Sequence, residues 1–236
     1  MHIMAIGAHP DDLEIFMYGF LAGAAARGDR LHLVVATDGA AGGAEPGPAL
    51  AAQRADEARA GLADLGDVQL LALPDGRLSS AADAASIITD TIRNTQPDLI
   101  LTHAPEDYHP DHRALSKFVS DAAGFICPVL FCDTLMGVGF APDYYVDITG
   151  YFDAKQAAIM AHASQQPDRF ATAAAILNRF RAAQCNAPHG HYAEAYRIDR
   201  IARRPRDSGS APDVPAVSEQ DLLRPHVFRP PPRLRL

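Results

Sequence analysis

Two short clusters of imidazole and carboxylate side chains carry the chemistry in this sequence. The first, His9-Pro10-Asp11-Asp12, directly follows an apolar run near the start of the chain. The second, His109-Pro110-Asp111-His112, comes soon after the apolar run Leu99-Ile100-Leu101-Thr102. Zinc in catalytic sites prefers imidazole nitrogens and carboxylate oxygens, usually three of them with one position left open. Together the two clusters predict a metal-dependent active site.

The spacing within the clusters indicates which residues hold the metal. His9 and Asp12 are three residues apart, so a turn that leaves a strand directs both side chains at one point. His112 supplies a third ligand from the second cluster, and Asp11 lies beside the metal without binding it. Proline suits the first position of a helix, so Pro110 predicts that a helix begins in the second cluster. We expect zinc at the three ligands, although the same set suits other divalent ions.

Each cluster alone has a plainer interpretation. Two aspartates after a strand are typical of a solvated turn or of a helix N-cap. A pair of histidines three residues apart is often coincidence. The position of both clusters at the ends of predicted strands favours the metal site.

Apolar runs alternate with helical patterns, which predicts an α/β fold. We predict strands at residues 3–8, 31–37, 68–73, 99–103, 129–132, 144–148 and 192–198. We predict helices at residues 13–27, 49–65, 82–95, 112–123, 152–164 and 169–184. Such alternation favours right-handed crossovers and a Rossmann-like three-layer sandwich with a mainly parallel central sheet. Ligands of these sheets bind beyond the carboxyl ends of the strands, where both clusters fall.

Composition separates a catalytic domain from a tail. The 236 residues are 48% hydrophobic and 21% charged, as is typical of a soluble globular protein. We predict a catalytic domain at 1–202 and a Pro/Arg-rich extension at 203–236, which cannot build a core of its own. We expect this extension to form an extended arm. The alternatives are that it packs on a neighbouring subunit or borders the active site.

The charge and cysteine content limit partners and location. A net charge of -8 gives no basic footprint for nucleic acid or for an anionic membrane. No export signal is visible, and three cysteines fit a reducing compartment, so we expect a cytoplasmic protein. Cys127 and Cys132 flank an apolar run and are expected in the core. The acidic surface and the tail are compatible with a homo-oligomer.

Competing motifs are missing from the sequence. The glycine-rich segment 39–45 has neither the Gly-Lys-Ser/Thr of a P-loop nor a dinucleotide fingerprint, and no Gly-x-Ser-x-Gly elbow exists. Because this segment follows a strand, we expect it to border the site as a mobile loop.

The two clusters resemble those of the LmbE/PIG-L family of zinc-dependent N-deacetylases. Further matching segments are Arg54-x-x-Glu57-Ala58, Leu73-Pro74-Asp75-Gly76 and His162-Ala163-Ser164-Gln165, so that the resemblance covers about residues 3–200. It implies an LmbE-like fold in which zinc is bound by His9, Asp12 and His112. It also implies that Asp11 is the general base and that His109 assists at the oxyanion, oriented by Asp111. We expect the carboxylate of Asp111 to favour the protonated form of His109.

The resemblance implies an N-deacetylase that uses a water activated by Asp11 on an N-acetylated amino-sugar small molecule. A few family members have diverged, so the alternative is a zinc-dependent hydratase or lyase of a small unsaturated carboxylic acid. A cationic clamp would favour that alternative, with Arg54 and Arg113 as its candidates. A protein that binds metal without turnover is a third possibility, although pure binding needs neither Asp11 nor His109.

Three other residues are candidates for the substrate pocket: Arg54, Tyr108 and His103. His103 lies at a predicted strand end, and Tyr108 is adjacent to the second cluster. The remaining histidines lack acidic neighbours in the sequence and are expected to be structural or solvated: His2, His32, His162, His189, His191 and His226.

Overall fold

An eight-stranded sheet crosses the computed structural model, which describes residues 1–124, 126–199 and 227–228. The strands are β1 His2–Gly7, β2 Arg30–Thr37, β3 Val68–Leu73, β4 Leu99–Thr102, β5 Val129–Cys132, β6 Tyr144–Asp147, β7 Ala193–Ile198 and β8 Val227–Phe228. Their order across the sheet is β3-β2-β1-β4-β5-β7-β6-β8. The first five strands are parallel, and β6, β7 and β8 join them in antiparallel pairs. This confirms the mainly parallel sheet.

Helices cover both faces of the sheet. They are α1 Asp12–Phe16, α2 Tyr18–Ala26, α3 Pro48–Gly61, α4 Ala84–Thr95, α5 Pro110–Ala123, α6 Phe152–Met160 and α7 Pro167–Gln184. One apolar core packs α4 and α5 against the sheet, and the other packs α1, α2, α6 and α7 against the opposite face. Along β1, Met4 and Ile6 enter the first core, whereas Ile3 and Ala5 enter the second. The fold is therefore the predicted three-layer α/β sandwich.

The prediction of one helix at 13–27 is wrong, because the structure has two helices there. Met17 leaves the helical conformation between α1 and α2, with φ -134° and ψ -8°. The backbone N–H groups of Gly19 and Phe20 then donate to the Glu194 carboxylate at 2.9 and 2.8 Å. A carboxylate from β7 thus binds the first turn of α2, where backbone donors are otherwise unpaired.

The tail contributes a short strand to the sheet. β8 pairs with β6 in an antiparallel arrangement, with Val227 opposite Val146 and Phe228 opposite Tyr145. The rest of the predicted extension at 203–236, with His226, lies outside the described residues. The two cysteines expected in the core, Cys127 and Cys132, are buried as free thiols. Within the described ranges, no helix combines the length and apolar character needed to cross a bilayer.

The order of strands brings the two sequence clusters together. β1 and β4 are parallel neighbours, with Ile3 opposite Leu99 and Ala5 opposite Leu101. The chain turns to opposite sides of the sheet from these two strands, into α1 and α5. Such a switch point opens a crevice at the carboxyl ends of the strands. Both clusters lie at this crevice.

Candidate active site

The predicted metal ligands His9, Asp12 and His112 approach one another closely. His9 Nδ1 lies 3.2 Å from His112 Nε2 and 3.4 Å from Asp12 Oδ2. His112 Nε2 lies 3.3 Å from the other carboxylate oxygen, Asp12 Oδ1. Two ligands about 2.0–2.1 Å from a tetrahedral zinc ion are about 3.3–3.4 Å apart. The donor types and their spacing therefore fit a zinc ion.

Three other combinations bring possible ligand atoms within 4.8 Å of one another: His9 with His109 and His112, Asp12 with His103 and His112, and His9 with Asp75 and Asp111. His103 is a poor ligand because its Nε2 already accepts the Ala8 N–H at 3.0 Å. In the predicted set two imidazoles and one carboxylate each lie within 3.4 Å of the other two residues. We therefore favour it over the other groups.

Protonation of the cluster follows from burial and from neighbouring charges. Burial opposes a charge on His9, but the surrounding carboxylates outweigh it and raise the pKa of His9 well above its ordinary value. Burial would likewise raise the pKa of Asp12. The adjacent imidazoles of His112 and His103 outweigh that effect and hold the pKa of Asp12 well below its usual range. The carboxylates around these imidazoles therefore create a negative environment that favours a bound positive charge.

Asp11 directly precedes the predicted ligand Asp12 and is held by Arg54. Arg54 Nη2 lies 3.3 Å from Asp11 Oδ2 and donates to the Pro10 carbonyl at 2.6 Å. Burial raises the pKa of Asp11 to about 6, although the Arg54 guanidinium works against this. The backbone of Asp11 has φ 122°, a region that side chains other than glycine rarely adopt. The turn after β1 thus holds the backbone of Asp11 in a strained conformation.

The second cluster begins α5, as predicted. His109 is the N-cap residue, and its Nδ1 accepts the Asp111 N–H at 3.2 Å. A neutral His109 therefore carries its proton on Nε2. The Asp111 carboxylate accepts the N–H groups of Gly76 and Leu78 at 2.7 and 3.0 Å. It also lies 3.3 Å from His9 Nε2.

Asp111 favours the charged form of His109, as expected, but other effects outweigh it. Burial and the neighbouring imidazoles of His9 and His112 lower the pKa of His109. The orienting contact to His109 comes from the Asp111 backbone.

A family profile decides the relationship of the chain to known proteins. The PIG-L profile, described as GlcNAc-PI de-N-acetylase, matches residues 4–123, just over half of the chain. The chain belongs to this family.

The chain is also similar to individual deacetylases and to one hydratase. A diacetylchitobiose deacetylase from Thermococcus kodakarensis is 28% identical over 188 residues, which is 70% of each chain. The N,N'-diacetylchitobiose deacetylase of Pyrococcus horikoshii has a TM-score of 0.73 at 24% identity over 85% of this chain and 84% of its own. The 4-carboxy-2-hydroxymuconate hydratase of Pseudomonas putida has the same TM-score at 23% identity, over 89% and 99%. Both solved structures share the fold.

Two carboxylates near the site were not singled out from the sequence of this PIG-L member. Asp107 Oδ1 lies 3.2 Å from His112 Nδ1 and accepts the His109 N–H at 2.9 Å. Asp75 Oδ1 lies 3.2 Å from His9 Nε2, while its other oxygen accepts the N–H of Ala41 at 2.9 Å. Asp75 stands in a segment that carries the family resemblance, which was a usable signal. Asp107 has no such signal.

The three pocket candidates differ in position. His103 is fully buried and stacks on His112 with ring centroids 3.7 Å apart, so it packs behind the ligands. Tyr108 is 64% exposed, with its ring 6.2 Å from that of His109. Arg54 is buried and also donates to the Gly39 carbonyl at 3.1 Å. Hence the glycine-rich loop borders the site, as predicted.

The other PIG-L-like segments form buried contacts behind Asp11. His162 Nε2 and Glu14 Oε1 are 2.8 Å apart, although His162 has no acidic neighbour in the sequence. Ser164 donates to Glu57 from its N–H at 3.0 Å and from its hydroxyl at 2.6 Å. These contacts link α1 and α3 to the turn after α6.

Proposed function

We propose that the protein is a zinc-dependent hydrolase that removes the N-acetyl group from an amino-sugar-containing small molecule. The observation that carries this proposal is the buried carboxylate of Asp11, which Arg54 holds at 3.3 Å and which directly precedes Asp12 of the zinc-like donor set. The diacetylchitobiose deacetylase relative supports the choice of an N-acetyl substrate.

His9, Asp12 and His112 would hold the zinc ion. When bound, zinc supplies Lewis-acid chemistry: it polarises a carbonyl and makes a water molecule acidic enough to react near neutral pH. The carboxylate and the two imidazoles match the ligand types of catalytic zinc sites.

Asp11 would move the proton of the reaction. Its carboxylate accepts a proton from the attacking water and then gives that proton to the nitrogen of the leaving amine. Burial raises the pKa of Asp11, which makes the carboxylate a better proton acceptor. Arg54 fixes the carboxylate for this role through its contact with Asp11 Oδ2.

His109 would stabilise the carbonyl oxygen as it becomes negative. The Asp111 N–H contact leaves the proton of the neutral ring on Nε2, where it can be donated to that oxygen. A neutral His109 donates this hydrogen bond from the same position as a charged one, although the bond is weaker.

The charges around the centre favour the deacetylase over the hydratase alternative. Carboxylates dominate the site: Asp11, Asp12, Asp75, Asp107 and Asp111. The two candidate clamp arginines are both engaged, since Arg54 contacts Asp11 and Arg113 donates to the carbonyls of Asp107 and Tyr108. Such surroundings disfavour a substrate with two carboxylates and favour an amine product that gains a proton.

Location and organisation complete the proposal. We keep a cytoplasmic location, a catalytic domain at 1–202 and an extension at 203–236. Free buried cysteines support a reducing compartment. A homo-oligomer is compatible with the acidic composition.

The test is acetate release from N-acetylglucosamine and N,N'-diacetylchitobiose by the zinc-loaded full chain. Loss of absorbance from an unsaturated dicarboxylic acid is measured in parallel. Acetate release that disappears in Asp11→Asn is the expected result. Loss of absorbance without acetate release would replace the proposal by the hydratase alternative.

A further inference from the structure

We infer that Asp107 and Asp111 are positioning residues whose carboxylates fix the two imidazole ligands of the metal. Each carboxylate meets the ring nitrogen that points away from the ligand cluster. This inference rests on the proposed metal site at His9, Asp12 and His112. It gives the Asp111 side chain a different partner from the one that the family resemblance implies.

The two rings present opposite nitrogens to the cluster. His9 faces it with Nδ1 and His112 with Nε2, and these two atoms are 3.2 Å apart. The remaining nitrogens point outward. His9 Nε2 lies 3.3 Å from Asp111 Oδ2, and His112 Nδ1 lies 3.2 Å from Asp107 Oδ1. The first contact has hydrogen-bond geometry, whereas the second is an ion-pair contact without full alignment.

Both carboxylates are themselves held in place. The N–H groups of Gly76 and Leu78 fix Asp111, and the His109 N–H fixes Asp107 Oδ1. Each aspartate is only 1% exposed, so water has little access to either. A buried, anchored carboxylate keeps its direction, and it therefore fixes the orientation of the imidazole beside it.

The chemistry of imidazole gives these contacts a function. A neutral ring carries one proton, and an acceptor oxygen at the outer nitrogen favours the proton there. The inner nitrogen then keeps the lone pair that binds a metal. Loss of such an outer carboxylate typically weakens metal binding about 10–100-fold.

A second cation is the competing explanation for one of the two contacts. His9 Nε2, Asp75 and Asp111 have possible ligand atoms within 4.8 Å of one another. For two cations to bind, His9 would have to lose the protons on both of its nitrogens. The Asp111 oxygens already accept two backbone N–H groups, which favours a hydrogen-bond acceptor over a metal ligand there.

The experiment measures zinc affinity of the full chain by competition with a chelator. The variants are Asp107→Ala, the shape-retaining Asp107→Asn, and Asp111→Asn. Glu106→Gln is the matched control, because Glu106 pairs with Arg197 and its loss removes the same charge one residue away. We expect affinity to fall about 10–100-fold in Asp107→Ala and less in Asp107→Asn. We expect a change below about threefold in Glu106→Gln.

Two further readouts separate positioning from general damage. Thermal unfolding of the zinc-free variants reports stability without the metal. The nitrogen and proton NMR signals of the zinc-loaded His112 ring report its Nδ1–H, which should shift in Asp107→Asn and stay unchanged in Glu106→Gln.

The outcomes distinguish this inference from the proposed metal site. Unchanged zinc affinity in Asp107→Ala, with zinc lost in His112→Ala, overturns the positioning role and leaves the site intact. Zinc retained by His112→Ala overturns the site itself. Two zinc ions per chain, with one lost in Asp111→Asn, assign Asp111 to a second cation and overturn its positioning role.

Discussion

Two buried polar clusters of this molecule differ in how completely their polar atoms are hydrogen-bonded. Glu194, from β7, receives hydrogen bonds from Gly19, Phe20, Lys155 and Tyr196. The cluster at the crevice has a buried oxygen, Asp107 Oδ2, without a hydrogen-bond partner among the described residues, and a strained backbone at Asp11. Buried polar groups that are fully paired specify the structure, whereas strain and crowded acceptors mark functional sites. We therefore assign a structural role to the Glu194 cluster and expect the chemistry at the crevice cluster.

The largest effect should come from removing Asp11, the proposed proton carrier of the crevice. Asp11→Asn keeps the size of the side chain but cannot accept the proton, so kcat should fall about 10²–10⁴-fold. Zinc content and unfolding temperature should change little. Acetate release from N,N'-diacetylchitobiose measures the first and metal analysis the second. An active Asp11→Asn enzyme would contradict the assignment of the chemistry to the crevice cluster.

The reverse pattern is expected for the Glu194 cluster. Lys155 is fully buried and donates to Glu194 at 2.7 Å, so Lys155→Met leaves a buried carboxylate without its counter-ion. The free energy of unfolding should fall by about 3–5 kcal/mol in urea titrations. Zinc binding by the folded fraction should persist. Lys117→Met is the control, because the Lys117–Asp121 pair is exposed and contributes only about 0–1 kcal/mol.

Relief of the backbone strain at Asp11 should raise stability, by less than the loss expected for Lys155→Met. Glycine adopts φ 122° without the clash of a Cβ atom, so Asp11→Gly should be about 1–3 kcal/mol more stable than Asp11→Ala. Both variants should be inactive. Equal stability of the two would show that the turn after β1 stores no strain.

The smallest effect concerns the pH dependence of stability. Burial lowers the pKa of His162, but its hydrogen bond to Glu14 outweighs burial and raises that pKa above the ordinary value of about 6.5. A raised folded pKa means that this contribution is fully present below about pH 6.5 and is lost as the pH rises through the folded value.

Urea titrations across this range should therefore show the stability advantage of the wild type over His162→Asn shrinking with rising pH. His189→Gln, at an exposed position, is the control. An advantage that grows with pH would contradict the assignment of the His162–Glu14 pair.

Local sequence signals were sufficient to predict the parallel sheet and to select the two clusters that the fold brings together. The strands end where the apolar runs end, and Pro110 begins α5 as its chemistry dictates. The break at Met17 could not be predicted, because it depends on Glu194, 175 residues from Gly19. The contact that underlies the proposed role of Asp107 could not be predicted for a similar reason. Its partner His112 is close in sequence, but only the turn between β4 and α5 aims the carboxylate at the ring.

Asp111 makes the expected contact with His109, but through its backbone N–H and not through its carboxylate. Adjacency in the sequence suggested His109, whereas the first turn of α5 points the carboxylate towards His9 and the backbone of Gly76 and Leu78. Side chains two residues apart at a helix start face different directions.

Zinc content of the wild type, Asp11→Ala and His112→Ala, purified in parallel, tests the proposed site most directly. We expect one zinc ion per chain in the wild type and in Asp11→Ala, and none in His112→Ala. A His112→Ala protein that is free of zinc and still releases acetate would contradict the division of labour between Asp11 and the ligands.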